Sequence, residues 1–245
     1  MLNHRWKSEW LVSVILFCAV VSLSARLQAE EAPTFYDPVE QQIEGWTVAV
    51  DPLLLAPEQA EAGKNALAAL ANHLQRIKYI VSAERVTQLQ KMRIWIEWKN
   101  PELGNMQYHP DKGWLKAHGH DPRLAKHVHI PIAGQLLERK MWAKHPYVVL
   151  HELAHAYHDQ VLSFDQADIV ATYNAAKEKG IYDSVLVHTG KKVRHYGLSN
   201  HKEYFAESTE AYFGVNDFYP FVRAELEAHD PTMYALMIKI WGPIP

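Results

Sequence analysis

Apolar and polar residues alternate over Trp46–Val50 in "GWTVAVD", the two-residue period of a half-buried strand. From residue 57 the period changes. A proline opens the segment, and Leu67, Leu70, Leu74 and Ile77 recur at helical spacing, which predicts a long helix over residues 57–77. A shorter helix is expected over 83–90, and an aromatic-rich strand, "RIWIEW", over 93–98. Residues 100–122 hold Pro101, Gly104, Pro110, Gly113, Gly119 and Pro122 and read mostly as loop. "KHVHIPI" (126–132) is a further strand, and Pro131 suits a sheet edge better than a centre. A helix follows with Pro146 in its first turn and Val149, Leu150, Leu153 and Ala154 at buried positions. The pattern then predicts a helix over 165–179 stopped by Gly180, a hairpin turning at Thr189 and Gly190, and a helix capped by Asn200 and ended at Gly214. Helical stretches over 221–228 and 232–240 close the chain. The order is α+β: an early helix and a small mixed sheet, then a mostly helical C-terminal part.

The chain has 245 residues, of which 48% are hydrophobic and 22% charged, an ordinary globular balance that suits one sizeable domain. The first 29 residues read as a secretory signal peptide. Arg5 and Lys7 precede the apolar run "LVSVILFCAVVSLSA", and Ala29 ends a small-residue site before "EEAP". The run falls short of the roughly 20 apolar residues that span a bilayer, so export outweighs an uncleaved anchor. The expectation is a secreted or periplasmic domain over 30–245, with no stable membrane association after cleavage. The leader carries Arg5, Lys7 and Arg26 against Glu9, net +2, so removing it takes the chain from −3 to −5. That charge offers no electrostatic case for nucleic acid or anionic lipid. The single cysteine, Cys18, leaves with the leader, so any staple beyond the core would be a metal.

Against 15 histidines, metal chemistry is the open question, and "HELAHAYHDQ" (151–160) sharpens it. Its H-E-x-x-H puts His151 and His155 four apart on one helical face, with Glu152 one position round. Two neutral imidazoles and a carboxylate able to reach water are what a zinc hydrolase needs. In so histidine-rich a chain the pentapeptide also arises by accident. A catalytic zinc needs a third protein ligand. Enzymes with H-E-x-x-H-x-x-G-x-x-H place a histidine ten residues on, where this chain has Val161, with His158 at the glycine position. The other solution is a carboxylate on a later helix, and "EYFAE" offers Glu203 and Glu207 four apart on one face. One could bind the metal while the other orients a ligand imidazole. In the bland reading, Asn200 and Glu203 are a capping pair, and Glu207 and Glu210 face solvent.

"HELAH" with the downstream "HYGLSNHKEYFAE" resembles the gluzincin-type zinc peptidases, among them the catalytic domain of anthrax lethal factor and the secreted bacterial Pro-Pro endopeptidases. The shared pattern is H-E-x-x-H, then Tyr-Gly, a glutamate seven residues after that tyrosine, and another four later. It covers about residues 145–215. The resemblance implies a zincin-like fold and one Zn2+ per chain, held by His151, His155 and Glu203. It makes Glu152 the general base, Tyr196 the phenol that steadies the intermediate, and Glu207 the partner behind the ligands. The chain has Ala154 where these enzymes carry glycine, a small-for-small change.

The implied function is a secreted zinc-dependent endopeptidase acting on peptide or protein substrates. Two alternatives share the residues: a zinc hydrolase of another amide, such as a cell-wall crosslink, and a zinc-binding module without turnover. Substrate would lie along a sheet edge, for which "KHVHIPI" is the expected strand. His127 and His129, with His118 and His120 nearby, are expected to be solvated or to line a cleft rather than to form a second metal site. Asp159 and His158 are expected to face solvent.

Overall fold

In the computed structural model, which describes residues 35–244, a two-residue turn at Glu44 and Gly45 joins strands β1 (Val39–Ile43) and β2 (Trp46–Val50). Both turn residues have positive φ, 52° and 95°. Gly45 suits the position because its φ lies where side chains are strained, and a Cβ there would also displace the Gln90 amide. The proposed leader, residues 1–29, lies outside the described residues.

The chain is mixed α/β. Strand β2 pairs in parallel with β3 (Arg93–Ile96), and β3 in parallel with β5 (His127–Ile130). At the far edge lies β4 (Gln107–Tyr108), antiparallel to β5, so the sheet runs β1-β2-β3-β5-β4. This corrects one expectation. "KHVHIPI" is not an edge strand, because Pro131 falls just past its last residue and its missing N–H costs the ladder nothing; the Pro131 carbonyl accepts from Asn100 instead. Residues 100–122 are mostly loop, as expected, but besides β4 they form α3 (Lys112–Ala117), capped by the Asp111 side chain and buried at Leu115.

One sheet face, with Ala49 and Trp95, packs on Leu115 and Leu124. The other carries the main core: Val48, Val50, Ile94, Ile96, Val128 and Ile130 against helices. Those are the long α1 (Ala60–Ile80), α2 (Ala83–Leu89) and α5 (Val148–Tyr157), with a short α4 (Arg139–Lys144) before α5. Helix α1 starts three residues later than its leucine period suggests, because Pro57 opens a 3-10 turn of its own. Pro146 likewise stays outside α5, where its carbonyl accepts from Arg76 at 3.1 Å. Helix α6 (Ala167–Glu178), the hairpin β6 (Val185–Leu186) and β7 (Lys192–Val193), α7 (His201–Phe213), α8 (Arg223–His229) and α9 (Pro231–Trp241) follow as the pattern predicted, within a few residues. Among the described residues, no helix is long and apolar enough to cross a membrane.

Two helices depart from the one-wet-face rule. All ten residues of α5 are buried, and so is α7 from Tyr204 to Phe213, and the two pack on each other. Their histidines and glutamates are therefore inside the protein, where polar groups must find partners.

Four other histidines are buried and neutral. Burial lowers His73 to about 4, and His109, His158 and His195 to about 3 each. In the unfolded chain each takes its proton near 6.5, so the unfolded state binds more protons below that value and stability falls with pH. Each contributes a loss of about 1.4 kcal/mol per pH unit between its unfolded and folded values. Far-ultraviolet dichroism should therefore show unfolding as pH falls below about 6, complete by roughly 4. His73 stacks on Trp142 with ring centroids 4.1 Å apart, so His73→Phe should keep the packing and move the midpoint to lower pH. An unmoved midpoint removes His73 from the cause.

Candidate metal centre and active site

Helix α5 presents His151 and His155 on one face, and their Nε2 atoms lie 3.1 Å apart. Helix α7 brings Glu203 to the same point, with Oε2 at 3.3 Å from His151 Nε2 and 3.2 Å from His155 Nε2. Asn200 starts that helix as expected: its Oδ1 accepts the N–H groups of Lys202 and Glu203. The Glu203 side chain joins the histidines and does not return to the cap, so only the Asn200 half of the capping pair forms.

The donor chemistry tests whether the cluster suits a metal. His151 Nδ1 lies 2.7 Å from Glu210 Oε1. A carboxylate only accepts, so Nδ1 carries a proton, and Nε2, facing Glu203 and His155, is the nitrogen left to ligate once a metal displaces its proton. Three atoms able to ligate then converge at 3.1–3.3 Å. Ligands of a tetrahedral zinc, with bonds of about 2.0–2.1 Å, lie roughly 3.3 Å from one another. The residues fit zinc. Burial disfavours charge on His151, but Glu203 and Glu210 outweigh it and hold the imidazole well above its ordinary value, so the cluster is set up for positive charge. The same histidines overcome burial at Glu203 and hold its carboxyl well below the usual range.

Glu152 sits beside the three and is 7% exposed. Its Oε2 accepts the Tyr108 N–H from β4 at 2.8 Å. Burial raises its pKa, with His151 and His155 pulling the other way. Tyr196 starts a 3-10 turn (Tyr196–Ser199) that His195 caps by accepting the Gly197 N–H. At 49% exposed, Tyr196 does not seal the core. Burial and the nearby Glu203 raise its pKa, so its hydroxyl stays a donor. His151, Glu152, His155, Tyr196, Glu203 and Glu207 all line one cleft of about 820 Å³.

The carboxylate bonded to His151 Nδ1 is Glu210, at 2.7 Å, while the nearest Glu207 oxygen lies 3.9 Å away. Glu210 also takes His145 Nε2 at 2.8 Å, and these two histidines overcome its burial and hold it below the usual carboxylate range. Burial and the Glu210 charge push Glu207 up instead, so it keeps a proton. The signal for Glu210 was available in the sequence, since 203, 207 and 210 fall on one helical face. His145 carries no spacing signal, because it lies before the helix. We therefore expect Glu210→Ala to weaken zinc about 10- to 100-fold, while Glu207→Gln, which mimics the protonated side chain, stays within about threefold. Competition against a chromophoric chelator measures both, and equal losses would return the role to Glu207.

A second ligand-spaced group, His145, His151 and Glu210, shares His151 with the first. His129 is fully buried between His109 and Glu97, His118 bonds the Trp114 carbonyl, and no ligand-spaced cluster forms around His118, His120, His127 and His129 among the described residues. His158 is buried, against expectation, because α5 continues into a wider π-helical turn (His158–Leu162) that turns it toward Phe164 and Phe205. Asp159 accepts from Tyr108 and Lys126. The chain matches no protein-family profile, no curated protein and no solved structure.

Proposed function

We propose that the protein is a secreted zinc-dependent endopeptidase with a zincin-like fold of the gluzincin type. The observation that carries this reading is the convergence of His151 Nε2, His155 Nε2 and Glu203 Oε2 at 3.1–3.3 Å, beside a buried Glu152 in an open cleft.

Zinc, when bound, supplies Lewis acidity that makes a water molecule nucleophilic near neutral pH. His151, His155 and Glu203 would hold it, and Glu210 keeps His151 in the ligating tautomer. Glu152 takes the proton from the attacking water. Its raised pKa suits both that step and the later transfer to the leaving amine. The Tyr108 N–H fixes one oxygen of Glu152 and leaves the other for the proton. Tyr196 lines the cleft with a hydroxyl that stays protonated, and it donates to the carbonyl oxygen as charge builds there. An extended peptide fits along β4, the edge strand that borders the cleft.

Zinc-loaded residues 30–245, incubated with a diverse peptide library and read by mass spectrometry, should produce internal cuts that a chelator prevents. A library left intact by the zinc-loaded protein, or cut equally with chelator present, overturns the reading.

A further inference from the structure

Strand β4 pairs with β5 at Gln107↔His129 and Tyr108↔Val128, and two backbone bonds at His109, its N–H to His127 at 3.1 Å and its carbonyl from Lys126 at 2.6 Å, extend the contact by one residue. Even so extended, this is a short ladder for an edge strand. Yet Tyr108 on that strand donates the buried hydrogen bond to Glu152, so a slip of β4 would move the base.

Behind β4, on the sheet face that carries Trp95, three polar side chains form a chain. His109 Nε2 lies 3.0 Å from His129 Nδ1, and His129 Nε2 lies 3.0 Å from Glu97 Oε1. Glu97, His109 and His129 are 7%, 3% and 0% exposed. Because a carboxylate only accepts, His129 donates to Glu97, and one proton is shared between His109 Nε2 and His129 Nδ1. The other oxygen, Glu97 Oε2, accepts from Asn100 Nδ2 at 3.0 Å, and Asn100 Oδ1 takes the N–H groups of Glu102 and Leu103 at 3.0 and 2.8 Å. That second branch ties down the loop leading into β4. Glu97 is itself fixed at the end of β3, its N–H to Ile130 and its carbonyl from Ala133, both at 2.9 Å. Strand β4 is thus braced at both ends from one carboxylate. Burying three polar groups costs desolvation that apolar side chains would avoid, and none of the three touches the reacting atoms.

We propose that Glu97, His129 and His109 are positioning residues that lock β4 in register, so that the Tyr108 N–H holds Glu152 in place. The catalytic meaning rests on Glu152 being the base; the brace itself does not.

The test is amide hydrogen exchange by NMR on the zinc-loaded protein, comparing wild type with His109→Phe, Glu97→Gln and, as reference, Glu152→Gln. Loss of the brace should speed exchange at Tyr108 about tenfold or more, with the amides of Ile94 and Val128 in the central strands unchanged. Exchange at Tyr108 that stays at the wild-type rate in His109→Phe and Glu97→Gln overturns the proposal. So does exchange that speeds equally at all three amides, which marks general destabilisation. With a peptide substrate in hand, kcat should fall about 10- to 100-fold while KM and zinc content hold. This separates the two ideas: a wild type that cuts nothing defeats the peptidase reading and leaves the exchange result standing.

Discussion

Glu152→Gln is expected to abolish peptide hydrolysis while zinc stays bound. The side chain is buried and held by the Tyr108 N–H, and a glutamine oxygen can accept that bond in the same position. The proposed metal ligands His151, His155 and Glu203 are untouched. What disappears is the ability to accept and return a proton. General-base catalysis is worth about 100- to 10,000-fold, so turnover should fall by at least that much. Zinc content by atomic absorption and the melting temperature should match wild type. Residual cleavage within about tenfold of wild type would take Glu152 out of the proton's path. Loss of zinc would instead show that the carboxylate holds metal.

How much of this was readable without coordinates depends on the reach of each signal. His151, Glu152 and His155 were legible because the helical period alone sets their relation. Glu203 and Tyr196 needed the longer pattern through "HYGLSNHKEYFAE", since their approach to α5 depends on how α7 packs, which no local period encodes. Glu210 received no role, and it faced solvent only in the bland reading, which assumes that a helix keeps one face wet. Helix α7 has no wet face beyond its first turn, so its third acid is buried and bonded to two histidines. The edge strand failed for the opposite reason. At two residues, β4 is too short for alternation to show, and the proline beside β5 drew attention to the wrong strand. Strand β1 hid similarly: "VEQQI" is polar enough to read as an extended entry, and its partner is set by the turn at Glu44 and Gly45.

Zinc should raise the melting temperature of residues 30–245, and Glu203→Ala should remove most of that rise. A ligand that binds only the folded state stabilises it by about 4.1 kcal/mol at a free concentration 1,000 times its dissociation constant. In a domain of this size each kcal/mol moves the midpoint by about 2–4 °C, so saturating zinc should shift it by roughly 8–16 °C. Glu203 is the ligand to remove because it alone comes from α7. Without it, His151 and His155 keep their spacing on α5, but two nitrogens on one helix make a weak site. Glu203 lines the open cleft, so truncating it widens the cleft instead of leaving a sealed void, and the metal-free protein should melt close to wild type. That separates lost binding from a damaged fold. If Glu203→Ala keeps the full zinc shift while Glu207→Gln loses it, the third ligand is the next glutamate along the helix. If both keep it, the stabilising metal lies elsewhere, and the three atoms at 3.1–3.3 Å are a hydrogen-bonded cluster around a proton.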